Sequence, residues 1–571
     1  MEIDRRRAVL GIGALPLMGA IGLDAAVTVF EAKQIVTMEP SLPTARFVAV
    51  AGGMVLGVAE SLAELAPWTT GQRVTIDRRF ARQVLFPGLI DPHIHPMQAA
   101  VMLNLPFLAP DDWTLPSGRW PGVRGQDAYR TALKALLDRI TASPAIVWGW
   151  HELFHGPLTR TDLDAIAPYR PVVIWQRSFH DVVANTAMLR AWGLDDPASF
   201  AAALAAVKAD PAHGDFARGL FSETALAAAL VKLRPTVLSP EALRKGFADL
   251  KTMLAARGVT TVSDMTTGIF ADFDTEAGLI AAAFASPGAR CMLMPAATAL
   301  DPVGDVDAWM RKAARFAGPN VRLDRRIKLF ADGAFFAQGM RMGPPGYSDG
   351  HLGKWLTEPD ALRRQLSRYW DLGFSLHIHV NGDEGVETVL AGLAALAPRP
   401  AQTVTLEHLG YATAAQVRRI ARMGLMVSAQ PNYIRVLGEV YAAHGLGPDR
   451  AATINRLGSL ERAGVPLGLH SDFNMAPIDP FYLAWIALTR RGLDGGVPAP
   501  EERLTMAKAL RAVTIEAAQV IGMDGLVGSL AAGKRADFIA LDADPHGLRP
   551  DDLRDLPIRA TVFEGQVVRE S

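Results

Sequence analysis

Between about residue 87 and residue 520, short apolar runs alternate with alanine-rich stretches of helical length, and this alternation leaves the chain few folds to choose from. The runs are Ile146-Val147-Trp148, Val172-Val173-Ile174, Val259-Thr260-Thr261-Val262, Ile327-Lys328-Leu329-Phe330, Ser375-Leu376-His377-Ile378-His379, Val404-Thr405-Leu406, Met426-Val427-Ser428 and Pro466-Leu467-Gly468-Leu469. Helical stretches such as 128–141, 242–257 and 360–371 lie between them. A strand buried on both faces reads as an unbroken apolar run, and strands joined through helices lie parallel. The fold class is therefore α/β, and the number of units favours a closed (β/α)8 barrel of the TIM type over an open sheet.

Both ends have a different character. Val27-Thr28-Val29-Phe30, Gln34-Ile35-Val36-Thr37, Phe47-Val48-Ala49-Val50 and Met54-Val55-Leu56-Gly57-Val58 are hairpin strands, the last two joined through Gly52-Gly53. Ala536 to Leu541, then Ala560-Thr561-Val562-Phe563 and Gln566-Val567-Val568, repeat that pattern. The expectation is one small β-sandwich built from residues 27–86 and 521–571, with the barrel occupying 87–520. Residues from about 103 to 219 are more chain than one βα unit needs, so an insertion over the barrel mouth is expected.

Charge and cysteine content narrow the function. With 58 basic and 59 acidic residues the net charge is -1, which leaves no electrostatic footprint for nucleic acid. The single cysteine excludes an intrachain disulfide framework and a cysteine-based metal site, so the 13 histidines are where metal chemistry must be sought. Arg5-Arg6-Arg7 and the apolar run to about Leu23 resemble a twin-arginine export signal, implying a periplasmic protein with no membrane segment once mature. The alternative is a cytoplasmic protein with an apolar N-terminal helix. A homo-oligomer is left open.

The strongest local signal is Phe86-Pro87-Gly88-Leu89-Ile90-Asp91-Pro92-His93-Ile94-His95. Strand residues two apart share a face, so His93 and His95 are a ready metal pair at a strand end. In this frame the chain resembles the amidohydrolase superfamily, and in particular its family 3 branch, which includes N-substituted formamide deformylases. Ile327-Lys328-Leu329-Phe330-Ala331-Asp332-Gly333 is similar to the Lys-x-x-x-Asp-Gly motif of that branch. The resemblance implies that Lys328 is carboxylated and bridges two metal ions; read from the residues alone, it is a lysine snorkelling from a strand end. His377-Ile378-His379-Val380-Asn381-Gly382-Asp383 matches His-x-x-Gly-Asp at His379, leaving His377 one layer deeper. Thr405-Leu406-Glu407-His408 supplies His408 as the fourth imidazole, with Glu407 directed away as a structural residue. Leu469-His470-Ser471-Asp472 supplies Asp472. It departs from the family pattern in lacking a proline two residues after the aspartate and in carrying His470 where a small residue is usual.

The resemblance thus implies metal ligands His93, His95, Lys328, His379, His408 and Asp472, holding one divalent ion, or two if Lys328 is carboxylated. Zinc is the default for such donors. The expected activity is hydrolysis of a non-peptide carbon–nitrogen bond in a small amide, with metal-activated water and Asp472 as general base and then acid. The alternatives are a cyclic-amide or deaminating hydrolase, and a metal-free scaffold of the same fold. His180, in a segment resembling His-x-x-x-x-Asn, and Trp148 are candidate substrate-binding residues. Asp264 is expected to anchor a loop, and Gly528 to Asp537 resembles the family's C-terminal return strand.

Overall fold

The computed structural model describes residues 26–570; the readings placed on residues 1–25, an export signal or an apolar helix, lie outside them. Eight strands of the described residues run parallel in chain order. The first is Leu89–Ile94, the second Val259–Thr267, the third Arg290–Pro295, the fourth Arg326–Phe330, the fifth Ser375–Val380, the sixth Val404–His408, the seventh Met426–Ala429 and the eighth Leu467–Leu469. Ladders join the first three and, separately, the last five. Single parallel bridges span the two seams, Ala296 to Lys328 and Ile94 to Phe473.

Extra chain explains why the seams are not full ladders. The strand Val321–Leu323 takes the lower edge of the third strand. At the other seam the Leu469 N–H donates to Ala512 O (2.8 Å) and the Ile90 N–H to Val513 O (3.0 Å), so a following segment lies between the eighth and first strands. The arrangement is a mixed α/β fold of the TIM-barrel type.

Helices cover the strands for local reasons that are easy to trace. Pro240–Ala256 starts at Ser239, whose side chain accepts the Ala242 N–H, with proline in its first turn. It buries Leu243, Phe247, Leu250 and Leu254 at helical spacing. Gly246 lets it lie against the helix Pro96–Met102, because a Cβ there would stand 1.8 Å from Ala100 O. No helix of the described residues is long and apolar enough to cross a membrane.

The two chain ends, expected to build one small β-sandwich, share one eight-stranded sheet. Val84–Pro87 sits at the join, parallel to Val27–Val36 and antiparallel to Phe538–Leu541. Phe30, Phe80 and Phe538 pack together on one face, the Phe30 and Phe538 rings 5.2 Å apart.

Two of the apolar runs do not belong to the parallel set. Ala145–Trp150 and Val172–Gln176 pair with each other and with Asp181–Ala184 and Leu220–Ser222, making a separate sheet within the insertion, which therefore continues past residue 219. The set is completed by Arg290–Pro295, a strand not among the expected runs.

The insertion buries two histidines as neutral bases. His151 Nδ1 accepts the Leu153 N–H (3.2 Å) and its Nε2 donates to Phe336 O (2.9 Å). His155 Nδ1 accepts the His151 N–H (3.0 Å) and its Nε2 donates to Val123 O (2.9 Å). Burial outweighs the carbonyls and lowers the two pKa values from 6.5 to about 3 and about 4. Below pH 6.5 the unfolded chain takes up protons that the folded chain refuses, so stability present above 6.5 is lost as the pH falls toward those values. At pH 5 each imidazole is expected to cost ~2 kcal/mol. Urea unfolding of the metal-free protein should show a midpoint that drops between pH 7 and pH 5, with a shallower drop in the His151→Gln, His155→Gln variant. An unchanged midpoint across that range contradicts the neutral burial.

Candidate metal centre

The site is assembled where the parallel strands end, the face on which such folds carry their chemistry. His93 lies within the first strand and His95 just beyond it. Their Nε2 atoms stand 3.6 and 3.0 Å from Asp472 Oδ1. Both rings are held from behind, His93 Nδ1 by Glu407 Oε2 at 2.8 Å and His95 Nδ1 by Thr266 Oγ1 at 2.9 Å. Asp91 of the same motif reaches across the seam and accepts the Ser471 N–H (3.2 Å). The Asp472 N–H donates to His93 O at 3.0 Å, so the first and last strands fix each other's ligand-bearing ends.

On the fourth and fifth strands, Phe330 is in register with His379 and Lys328 with His377. Lys328 therefore starts one pleat, ~7 Å, below His379 and reaches upward through its methylenes. Its Nζ is buried and has no hydrogen-bond partner among the described residues. The Asp332 that ends the lysine motif accepts N–H groups from Asn381, Gly382 and Arg341, each at 2.8 Å, and so stitches the two strand exits together. Gly382 is required by this closeness, since a Cβ would fall 2.0 Å from Arg341 O. The His379 ring lies 4.7 Å from that of His408, with Asn381 Nδ2 3.2 Å from its Nε2.

Glu407 and His408 are consecutive, yet both face the interior. His408 has φ +72°, a left-handed conformation that breaks the alternation of strand side chains. The expectation that Glu407 points away is thereby corrected: its two oxygens hold His93 Nδ1 and, at 2.7 Å, His377 Nδ1. His377 is the deeper, hydrogen-bonded histidine that the pattern implied. The sequence reading missed His470 as a site residue. It is fully buried, with Nε2 3.1 Å from His408 Nδ1, Nδ1 2.7 Å from Ser428 Oγ, and its ring 4.5 Å from His93. Its signal was visible as a departure from the family pattern.

All six residues named as ligands line one cavity of about 140 Å³, together with His180, Phe330, Phe335, Phe336, Tyr433 and Met475. The donor chemistry fits a divalent ion. Burial holds His93 and His408 well below the usual imidazole pKa and His379 at about 3, leaving all three rings neutral, each with a lone pair. Burial works against the Asp472 carboxylate, but the His95 hydrogen bond and nearby positive charge outweigh it and keep its pKa low. Among the described residues, donor atoms of His93, His95 and Asp472, and of His93, His408 and His470, lie within 4.8 Å of one another. A four-coordinate zinc with bonds of ~2.0–2.1 Å separates its ligand atoms by ~3.3 Å, between the 3.0 and 3.6 Å found at Asp472.

Of the two substrate candidates, only His180 reaches the cavity, its Nδ1 3.0 Å from Glu223 Oε2, which also pairs with Lys354. Trp148 does not. It is wholly buried between Phe107 and Trp113, at ring distances of 4.6 and 5.5 Å, as a packing residue of the insertion. Asp264, expected to anchor a loop, instead accepts Thr267 Oγ1–H at 2.6 Å within the second strand.

Parallel strands that bring imidazoles, a carboxylate and a buried lysine to one end define a hydrolase of the metal-dependent class. The chain belongs to the amidohydrolase family, whose sequence pattern matches residues 83–569, and is a hydrolase acting on carbon–nitrogen bonds. It is 26% identical over 510 residues to YtcJ of Bacillus subtilis (strain 168), a protein named as an amidohydrolase, covering 85% of this chain and 89% of that one. It is 30% identical over 241 residues to the N-substituted formamide deformylase of Arthrobacter pascens, 42% of this chain and 44% of that one. The fold is shared with a solved, uncharacterized metal-dependent hydrolase from Pyrococcus horikoshii (TM-score 0.70, 21% identity, 92% of this chain and 99% of that one).

Proposed function

We propose that this protein hydrolyses the carbon–nitrogen bond of a small, uncharged non-peptide amide, within a (β/α)8 barrel whose seams are closed by the two single bridges. The observation that carries the proposal is the meeting of Asp472 with His95, His93 and His408 at 3.0, 3.6 and 3.8 Å in a cavity that also holds the unpartnered Lys328 amine. His93, His95, His379, His408, Asp472 and a carboxylated Lys328 would hold the divalent ions, zinc by donor preference. A divalent ion so held acidifies water and polarises a carbonyl oxygen. Asp472, ionised at neutral pH, takes the proton from the attacking water and returns it to the departing amine nitrogen. His180, oriented by Glu223, is placed to hydrogen-bond the substrate carbonyl. The protein as proposed is exported under the direction of Arg5-Arg6-Arg7.

The cavity wall supports the choice of substrate. Phe330, Phe335, Phe336, Tyr433 and Met475 form an apolar side, and no arginine is among the lining residues. A substrate carboxylate would meet no guanidinium there, and an unpaired buried charge is costly. N-formyl and N-acyl derivatives of benzyl or alkyl amines should therefore be cleaved on the order of 10-fold or more faster, by kcat/KM, than N-acyl amino acids, because each ~1.4 kcal/mol of desolvation is a factor of ten. A kinetic screen of both sets beside cyclic amides checks this. Preference for carboxylated amides would overturn the substrate class, and preference for cyclic amides would reassign the reaction to ring opening.

A further inference from the structure

We propose that Gln98 reads the N–H of the scissile amide, which makes the protein selective for secondary over tertiary amides. Resting on the amide-hydrolase reading above, this selectivity narrows its substrate class. Gln98 stands three residues after His95, in the helix Pro96–Met102 that leaves the first strand. It lines the same cavity as the six candidate ligands, and only 8% of it is exposed. Among the described residues its carboxamide has no hydrogen-bond partner. The other polar side chains of the wall outside the ligand set are committed: Thr266 to His95 (2.9 Å), His180 to Glu223 (3.0 Å), Ser178 to Gln176 and Tyr433 to Asn381.

A buried amide without a partner needs a reason, because taking its donor and its acceptor out of water costs free energy. Helix formation does not supply one. Gln98 is at the third helical position, from which a glutamine often folds back onto the N-cap N–H. Here the N-cap is His95, and no side-chain bond closes the cap. Packing does not supply one either, since the neighbouring Met97, Val101 and Met102 are buried and apolar and a methionine would fill the same space. The helix is fixed in place: the Ala99 N–H donates to His95 O (2.8 Å), and Gly246 lets Pro240–Ala256 lie against Ala100. The carboxamide is thus held at the cavity wall, just beyond His95, with its oxygen uncommitted. A secondary amide supplies what it lacks. With the substrate carbonyl taken by His180, the N–H across the scissile bond meets no acceptor in the side chains of Phe330, Phe335, Phe336 and Met475. Gln98 Oε1 accepts it. A tertiary amide carries carbon at this place and leaves the glutamine oxygen desolvated and unpaired, a penalty larger than the loss of one contact.

Matched pairs test the assignment: N-benzylformamide against N-benzyl-N-methylformamide, and the corresponding acetamides, with wild type, Gln98→Met and Gln98→Asn. The readouts are kcat/KM for each amide, with metal per chain and circular dichroism on the same preparations. Wild type should favour the secondary amide by about 10- to 100-fold. Gln98→Met should lose about that factor on the secondary amide and less than about threefold on the tertiary one, at unchanged metal content. Gln98→Asn, which keeps the amide but retracts it by one methylene, should fall between. Equal losses on both members of a pair, as a merely structural glutamine would give, overturn the assignment. So does wild type that cleaves both members at equal rates, a comparison that stands even where a variant does not fold. Wild-type protein that binds metal but cleaves no amide of either kind would overturn the amide-hydrolase reading itself, and the role of Gln98 with it.

Discussion

Asp472→Asn is expected to yield a folded protein whose kcat on its best amide is lower by on the order of 10²–10⁴, the range general acid–base catalysis supplies. Asparagine matches aspartate in shape but cannot take a proton from water at neutral pH. The native carboxylate is ready for that task, since the His95 hydrogen bond and neighbouring positive charge keep it ionised against the effect of burial. The fold should tolerate the change. Residue 472 has φ +51°, a conformation that asparagine adopts as readily as aspartate. Its backbone bonds, N–H to His93 O at 3.0 Å and C=O from the Met475 N–H at 2.6 Å, do not involve the side chain. Steady-state kinetics, circular dichroism and metal analysis on one preparation separate the possibilities. Activity within tenfold of wild type would remove Asp472 from proton transfer. A loss of activity matched by an equal loss of metal would assign the residue to coordination alone.

Much of the centre was legible because its residues are bound to strand ends, and strand ends are marked in sequence by apolar runs. The six named side chains come from five different segments and line one cavity. What failed to read has local physical causes. Ile146-Val147-Trp148 and Val172-Val173-Ile174 are strands, but nothing in an apolar run says which sheet it will join, and these two pair within the insertion. Arg290–Pro295 was passed over because Cys-Met-Leu-Met has none of the β-branched residues that mark strands. The direction of Glu407 was inferred from a two-residue period that the positive φ of His408 interrupts. Trp148 ends an apolar run, as a pocket residue would, yet tertiary packing against Phe107 and Trp113 takes it out of the cavity. His470 stood out only as an unusual residue; that its Nε2 lies 3.1 Å from His408 Nδ1 is a matter of three-dimensional placement.

Lys328→Ala should remove metal from the protein and lower kcat by at least ~10²-fold, while leaving the metal-free fold as stable as wild type or more so. The last expectation follows from the state of the amine: its Nζ is buried and unpartnered, and a buried polar group without a partner lowers stability. Burial also lowers its pKa from 10.5 to about 8, with Glu407 and Asp472 acting in the opposite direction. A substantial share of the lysine is thus neutral at pH 8, and only a neutral amine reacts with carbon dioxide. Its nitrogen lone pair forms the bond to carbon, one N–H proton leaves to solvent, and the product is a carbamate anion. An amine that repels cations would thereby become an oxygen donor among neutral imidazoles, and the equilibrium would favour it as pH rises through about 8. Alanine leaves room at that place for a short carboxylic acid presenting the same two oxygens. Adding acetate or propionate to the variant should restore part of both the bound metal and the turnover, with no gain for wild type. Wild-type apoprotein freed of carbon dioxide should take up metal faster once bicarbonate is supplied. If the alanine variant keeps its metal and its rate, or if bicarbonate has no effect on loading, Lys328 is a buried amine that takes no part in the centre.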